Sequence, residues 1–304
     1  MNATRQAQPV RIYKLADSSL ALDDGSGLWN LGSYLEAAGR STDLVDLFED
    51  GWLDAAQLEP RLARSGGSGW NAVDCPLEDG IPRDVLVPLN PKRVGKVLAL
   101  GKNFAAHAAE FGEEVPSEPL FFGKLPETLT AHNSPVDVPP WVDGRVDHEA
   151  ELALVIGLEG RDLAPEDAFE HVAGYTVAND LTARDLQKGD RAKGFPWLRG
   201  KNLDGFLPLG PCFVPRDFLD VADLNVSAQV GDELRQNAST KDWIVKIPHA
   251  LAWLSKHLTL RPGDVVLMGT PAGVAPLVDG DKVRCTVQGI GTLCTPIRRP
   301  TAKR

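Results

Sequence analysis

Two glutamates separated by a single residue stand at the start of an apolar run. Glu149 and Glu151 belong to the segment 147–157, Asp-His-Glu-Ala-Glu-Leu-Ala-Leu-Val-Ile-Gly, which predicts a buried strand. Side chains two positions apart on a strand leave the same face, so both carboxylates point the same way. Two like charges on an apolar strand repel each other and are costly to desolvate. The pattern predicts a cation between them, and it turns His148 to the opposite face.

A third carboxylate and two cationic side chains follow along the chain. Asp180 ends a second apolar run, 174–180, and Arg199-Gly-Lys201 supplies positive charge further on. Three carboxylates without cysteine or histidine form an all-oxygen ligand set, which suits Mg²⁺, with Mn²⁺ or Ca²⁺ as alternatives. A simpler interpretation of Asp180 is a helix N-cap, because a helical pattern begins just after it.

A histidine and a glutamate three residues apart provide the groups of a general base. His107 and Glu110 lie on one face of a short helix predicted over 104–112. A glutamate in that position orients the imidazole and raises its basicity. The alternative is a surface His-Glu pair without a catalytic role. Gly112 and the proline-bounded segment 116–119 end the helix early, which suits a lid.

Two further segments carry polar groups that fit a binding site. Arg184 and Gln187 lie three apart on the predicted helix after the second carboxylate run, again on one face. The loop 269–274, Gly-Thr-Pro-Ala-Gly-Val, lacks the lysine and hydroxyl residue of a phosphate-binding P-loop. Backbone N–H groups such as that of Gly269 can still meet a carboxylate, with the Thr270 hydroxyl beside them. The alternative for this loop is a plain turn.

The elements that position these residues are mostly strands. Apolar or alternating runs predict strands over 94–100, 120–124, 206–214, 224–230 and 264–268. Lys124 closes one of them and faces either the site or solvent. Few helical patterns lie between the strands, so we expect a β-rich α+β fold with a rolled, mixed, barrel-like sheet rather than a βαβ array.

A domain boundary is predicted near residue 92. Pro82, Pro88 and Pro91 interrupt the chain there without a helical period. Residues 1–92 contain no group of residues that suggests chemistry, and they predict a small N-terminal α+β domain. Residues 93–304 contain every candidate described above and form the predicted catalytic domain.

Composition narrows the class of protein. The formal net charge of −10 over 304 residues argues against nucleic acid as a partner. It does not exclude an anionic substrate, because a bound cation and local basic side chains can invert the local sign. No signal peptide and no membrane-spanning run is predicted. The four cysteines contain no Cys-x-x-Cys pair, so reduced thiols in a cytoplasmic protein are expected.

The segments that contain the candidate residues follow one another in an order that can be compared with known families. From about residue 94 to the end, the chain closely resembles the fumarylacetoacetate hydrolase family. The segments that carry the resemblance are 101–110, 147–157, 174–187, 199–211 and 269–273. Phe104 stands where the family often has tyrosine, and Thr182 where serine is common. Neither departure removes a catalytic group.

The resemblance implies a β-rich catalytic domain, a homodimer and one divalent metal ion. It implies roles for the candidate residues as follows: metal ligands Glu149, Glu151 and Asp180; catalytic residues His107, Glu110 and Lys201; substrate-binding residues Arg184, Gln187, Gly269 and Thr270. The His107–Glu110 pair is placed on a lid.

The expected substrate is a small anionic 2-oxo or 1,3-diketo acid. The presence of both members of the His-Glu pair favours hydrolysis of a C–C bond in an acylpyruvate, through an enolate that the metal stabilises. The alternative is a decarboxylase or isomerase of 2-oxo or 2-hydroxy-diene acids in aromatic catabolism, acting on oxaloacetate or on 2-hydroxyhepta-2,4-diene-1,7-dioate. A metal-binding structural protein without activity is the alternative of another class.

Overall fold

The strands of this protein form where apolar residues run continuously or alternate. The computed structural model describes residues 9–65, 70–110 and 116–300. The strands are β1 Arg11–Lys14, β2 Leu20–Asp23, β3 Leu28–Asn30, β4 Leu77–Glu78, β5 Ile81–Pro82, β6 Val97–Gly101, β7 Leu120–Lys124, β8 Leu129–Thr130, β9 Val136–Asp137, β10 Val146–Asp147, β11 Ala150–Ile156, β12 Val172–Asn179, β13 Thr182–Ala183, β14 Leu207–Pro215, β15 Asn225–Val230, β16 Glu233–Ser239, β17 Val265–Leu267, β18 Lys282–Val287 and β19 Gly291–Arg298. The helices are α1 Leu31–Ala37, α2 Leu44–Glu49, α3 Ala55–Ser65, α4 Ala105–Glu110, α5 Pro165–Ala168, α6 Arg184–Ala192, α7 Leu198–Lys201 and α8 Ile247–His257.

Strand β11 lies beside the middle strand, β12, of the larger sheet. That sheet has the order β3-β2-β1-β14-β12-β11-β17-β6-β7, with β8 beside β14. All seven residues of β11 are buried, which explains why its sequence is nearly continuous in apolar residues. β11 pairs antiparallel with both neighbours, and β17 runs parallel to β6. The sheet is therefore mixed, as predicted.

A second sheet covers one face of the first. Its order is β16-β15-β18-β19-β9. Leu152 and Leu154 of β11 share one apolar core with Val226 of β15 and Val283 of β18. Two packed sheets with few helices confirm the predicted β-rich α+β class.

The N-terminal strands extend the larger sheet. β1 pairs with β14, with Ile12 opposite Phe213, and β2 and β3 continue outward from β1. Apolar residues of the N-terminal helices, such as Leu35 and Phe48, share a core with Val155 of β11. The boundary near residue 92 stays a prediction, and strand pairing crosses it. The homodimer likewise stays a prediction.

Among the described residues, the longest helices have only 11 residues. None of them is long and apolar enough to cross a membrane.

Candidate metal centre and active site

The three predicted carboxylates meet at one end of the central strand pair. Glu149 precedes β11, Glu151 is its second residue, and Asp180 follows β12. Because these strands are antiparallel neighbours, the backbone N–H of Asp180 donates to the carbonyl of Glu149 at 2.8 Å. One oxygen from each carboxylate lies within 4.8 Å of the others, and all three side chains are buried. Such a cluster is consistent with a divalent metal site.

Two lysines hold these carboxylates from different sides. Lys201 Nζ lies 2.7 Å from Oε2 of Glu149 and 2.6 Å from Oδ2 of Asp180. Lys124 Nζ lies 2.6 Å from the other oxygen of Asp180 and donates to the carbonyl of Lys201 at 2.6 Å. Lys201 thus bridges Glu149 and Asp180 rather than the two glutamates, and a cation between Glu149 and Glu151 stays a prediction. Lys124, whose direction the sequence left open, faces the site.

Arginine completes the positive charge around the first glutamate. Arg184, the first residue of α6, pairs with Glu149 and lies 2.8 Å from Asp147. Its Nη1 donates to Gln187 Oε1 at 2.8 Å, one turn along the helix. The helix begins after Ala183, which provides no side-chain cap. The N-cap interpretation of Asp180 is therefore wrong.

The carboxylates differ sharply in their electrostatic surroundings. Burial alone would raise the pKa of Glu149, but Lys201 and Arg184 hold it well below its usual range. Burial and the neighbouring carboxylates of Asp180 and Glu149 instead raise the pKa of Glu151 well above its usual range. In the part of the chain that the structure describes, Glu151 forms no ion pair with a lysine or arginine. A divalent cation would supply the charge that Glu151 lacks, so the residues present fit such an ion.

The His-Glu pair lies on the six-residue helix α4. His107 Nδ1 is 3.2 Å from Glu110 Oε2, and His107 is buried against the cleft. Both carboxylate oxygens of Glu110 lie 3.3 Å from the backbone N–H of Gly273. Gly273 has φ +103°, and a Cβ there would lie 1.9 Å from the carbonyl of Arg235, so only glycine fits. The loop therefore anchors α4 over the site.

The loop 269–274 forms hydrogen bonds with other parts of the protein through its backbone and its threonine. The backbone N–H of Gly269 donates to Glu151 Oε2 at 2.6 Å. The Thr270 hydroxyl donates to the carbonyl of Ala150 at 3.0 Å and accepts from Gln236 at 2.8 Å. The substrate-binding roles of Gly269 and Thr270 stay predictions. The N–H of Gly269 and the hydroxyl proton of Thr270 already have acceptors within the fold.

One cleft of about 70 Å³ is lined by eight of the candidate residues: His107, Glu149, Glu151, Asp180, Arg184, Gln187, Lys201 and Thr270. Its apolar walls include Leu100, Phe122 and Trp197. Its rim carries the cationic side chains of Lys102, Lys188 and Arg191. Burial, followed by the charge of Arg191, lowers the pKa of Lys102. Three cationic side chains therefore lie together beside the cleft, although the chain as a whole is acidic.

Sequence reasoning missed one buried polar residue beside the cleft. Gln236 of β16 is fully buried and joins the loop to β11 through its side-chain amide. His148 also bonds to it, so the histidine does face away from the carboxylates, as the alternation predicts. The polar segment around Gln236 gives no local signal of burial, because its partners lie far away in the sequence.

The fold, the cleft and the segments that build it define a known family. The model "Fumarylacetoacetate (FAA) hydrolase C-terminal" matches residues 96–298. The chain is therefore an enzyme of the fumarylacetoacetate hydrolase family.

Two relatives and one solved structure show how much of the chain is similar to known proteins. The chain is similar to a mitochondrial oxaloacetate tautomerase of Xenopus laevis, with 40% identity over 222 residues that cover 70% of this chain and 68% of the relative. It is 38% identical over 199 residues to a mitochondrial oxaloacetate decarboxylase of Dictyostelium discoideum, covering 65% of this chain and 90% of the relative. The solved structure of a fumarylacetoacetate hydrolase from Exiguobacterium antarcticum matches with a TM-score of 0.79 and 30% identity, over 96% of this chain and 100% of that one.

Proposed function

We propose that this enzyme forms and reprotonates the enolate of a 2-oxo dicarboxylic acid, and that it catalyses the keto–enol tautomerisation of oxaloacetate. The observation that carries the proposal is the buried cluster of Glu149, Glu151 and Asp180 with the Lys201 ammonium between two of them. Relatives named for oxaloacetate chemistry support this substrate.

A divalent ion held by the three carboxylates would act as a Lewis acid toward the 2-oxo acid. The protein contributes positive charge at the same end of the cleft. Burial lowers the pKa of Lys201, but the Asp180 and Glu149 carboxylates raise it above its usual value, so the ammonium stays charged at neutral pH. Together with Arg184, it stabilises negative charge that develops on an enolate oxygen.

The His107–Glu110 pair moves the proton. His107 removes a proton from the carbon next to the 2-oxo group, and the electron pair shifts to the oxygen. Return of the proton to that oxygen gives the enol, and return to carbon gives the ketone. Glu110 accepts from Nδ1 of the imidazole and so favours the tautomer in which Nε2 is the basic atom. The anchor at Gly273 fixes Glu110 in place.

The second candidate is hydrolysis of a C–C bond in an acylpyruvate, the reaction that the sequence alone favours. The same His107–Glu110 pair favours it, because an oriented imidazole can activate water. The solved hydrolase structure with similar fold supports it as well. The names of the relatives favour the alternative, oxaloacetate chemistry, and we place that reaction first.

One assay separates these reactions. Purified protein with Mg²⁺ is given enol-oxaloacetate, and the loss of the enol is followed by ultraviolet absorbance while pyruvate is measured separately. We expect metal-dependent conversion of enol to ketone, abolished by EDTA, with pyruvate no faster than in the control. The same protein is tested on acetylpyruvate and fumarylpyruvate, with the products identified.

Each alternative has its own result. Pyruvate with acetate or fumarate, without tautomerase activity, would establish the hydrolase. Pyruvate from oxaloacetate at the rate of enol loss would establish the decarboxylase. Failure to turn over any of the three compounds would contradict the proposal and favour a protein that binds metal without catalysis.

A further inference from the structure

Gln236 connects the smaller sheet to the cleft through four hydrogen bonds. Its Oε1 lies 3.0 Å from the backbone N–H of Ala150 and 3.1 Å from Nδ1 of His148. Its Nε2 lies 2.7 Å from the carbonyl of Pro271 and 2.8 Å from the hydroxyl of Thr270. The residue is fully buried, so no water competes for these bonds.

The backbone partners fix the orientation of the amide. The N–H of Ala150 can only donate and the carbonyl of Pro271 can only accept, so the oxygen and nitrogen of Gln236 cannot be exchanged. Nε2 must then donate to the Thr270 hydroxyl. A fully satisfied buried amide of this kind resists rotation, because any other orientation leaves buried polar groups without partners.

The amide of Gln236 and the carbonyl of Ala150 together fix the direction of the Thr270 hydroxyl. Thr270 Oγ1 accepts from Gln236 and lies 3.0 Å from the carbonyl of Ala150, which can only accept. The hydroxyl proton therefore points to that carbonyl. One lone pair of the oxygen remains, and Thr270 lines the cleft, so toward a ligand there it can accept a hydrogen bond but cannot donate one.

We infer that Gln236 is a positioning residue that makes Thr270 a hydrogen-bond acceptor for the hydroxyl of a 2-hydroxy acid or an enol. The inference rests on the proposed function, because it names the form of the 2-oxo acid that the site recognises. A ligand carboxylate opposite Thr270 would place two acceptors against each other. A ligand hydroxyl provides the missing donor.

The surrounding loop keeps Thr270 in this position. On one side, the N–H of Gly269 is bound to Glu151 at 2.6 Å. On the other side, Gly273 packs directly against the carbonyl of Arg235, the residue before Gln236 on β16. Thr270 is thus held between two fixed points and cannot turn its hydroxyl toward the cleft without breaking these contacts.

A pair of ligands tests the inference without turnover. Malate carries a 2-hydroxyl group, and oxalate carries no hydroxyl group. Binding of each to the Mg²⁺-loaded protein is measured by calorimetry. In Thr270→Val we expect malate to bind roughly five- to tenfold more weakly, the effect of one neutral hydrogen bond, while oxalate affinity stays the same. Thr270→Ser keeps the hydroxyl and should bind both ligands like the unaltered protein.

Gln236→Met keeps the length of the side chain and removes its polar groups. Since Gln236 acts through Thr270, this variant should show the same selective loss of malate binding. The double variant with Thr270→Val should lose no more than either single one. Melting temperature and Mg²⁺ affinity control for folding. Should Gln236→Met not fold, the Thr270→Val and Thr270→Ser pair still decides whether Thr270 accepts from a ligand hydroxyl.

The outcomes separate this inference from the proposed function. Unchanged malate affinity in Thr270→Val, or an equal loss for both ligands, overturns the inference alone. Additive losses in the double variant would show that Gln236 only supports the loop. If the unaltered protein binds neither acid in the presence of Mg²⁺, the proposed function is wrong, and the inference that rests on it is wrong with it.

Discussion

The two sides of the cleft are built in different ways. The carboxylate floor is a set of six buried charged residues: Glu149, Glu151, Asp180, Lys124, Arg184 and Lys201. The lid pair is His107 with Glu110. In the floor, the lysine Nζ atoms approach Glu149 and Asp180 to 2.6–2.7 Å. In the lid pair, the imidazole lies 3.2 Å from the carboxylate, which the loop holds at 3.3 Å.

The difference follows from the elements that carry the residues. The floor joins the ends of paired central strands, where burial and opposite charges reinforce one another. The lid pair lies on a helix of six residues, which is too short to be stable in isolation, and Glu110 contacts the loop at Gly273. The floor is thus fixed by several buried ion pairs, whereas the contacts of the lid pair are fewer and longer. Variants of the two regions should therefore differ in effect.

The largest loss of metal binding and activity is expected from a substitution in the carboxylate floor. Glu149→Gln keeps the shape but removes a ligand charge and leaves Lys201 and Arg184 each with one anionic partner fewer. Loss of one partner from buried ion pairs is strongly destabilising. We expect Mg²⁺ binding, measured by calorimetry, to weaken more than about 100-fold, and activity to fall about 1,000-fold or more. Glu159→Gln, at an exposed glutamate, is the control. Near-normal Mg²⁺ affinity in Glu149→Gln would contradict the proposal that Glu149 is a metal ligand.

The lid pair should affect catalysis without affecting metal binding. His107→Ala removes the proposed base, and loss of general base catalysis lowers kcat by roughly 100- to 10,000-fold. Mg²⁺ affinity should stay as in the unaltered protein, because His107 is not among the three clustered carboxylates. Steady-state kinetics and Mg²⁺ calorimetry on the same preparation test this. A parallel loss of metal affinity would show that floor and lid are one unit.

A smaller effect on metal affinity is expected from Lys124, the floor residue that pairs with one carboxylate oxygen of Asp180. Lys124→Met leaves Asp180 with Lys201 as its remaining lysine partner, and the methionine fills most of the buried volume. Outer partners of metal ligands typically contribute 10- to 100-fold to metal affinity, and we expect a loss in that range. The measurement is a Mg²⁺ titration, with exposed Lys256→Met as control. Unchanged affinity would show that Lys201 alone orients Asp180.

The smallest effect on activity is expected outside both regions. His132 is buried and accepts from the backbone N–H of Cys294 at 3.1 Å. Burial lowers its pKa to about 4, while the nearby charge of Glu78 raises it and that of Lys282 lowers it. The unfolded chain binds this proton below its ordinary value of about 6.5, whereas the folded protein does so only below about 4. Stability should therefore fall as pH drops from about 6.5 to about 4.

His132→Gln keeps an acceptor but cannot titrate, so the pH dependence of the unfolding free energy should flatten in that window. Denaturant titrations between pH 4 and pH 8 measure it, and His249→Gln, at an exposed histidine, is the control. Activity at neutral pH should be unchanged in both variants. An unaltered slope in His132→Gln would mean that His132 already binds its proton in the folded protein over this range.

The sequence alone determined the features that depend on near neighbours. Strand alternation placed Glu149 and Glu151 on one face and His148 on the other, and the three-residue spacing placed His107 beside Glu110. The apolar runs determined a β-rich fold, because burial on both faces leaves that signature. Several segments in a fixed order then carried the family assignment.

Only the tertiary structure decided which distant residues meet. Lys124 reaches Asp180 across 56 positions, and Gln236 reaches Ala150 across 86. The same holds for the lysine that bridges Glu149 and Asp180, and for the direction of the Thr270 hydroxyl. Local periodicity acts over a few residues, whereas strand order and the packing of one sheet on another set these contacts. The sequence therefore determines which chemical groups are present, and the fold determines which of them contact one another.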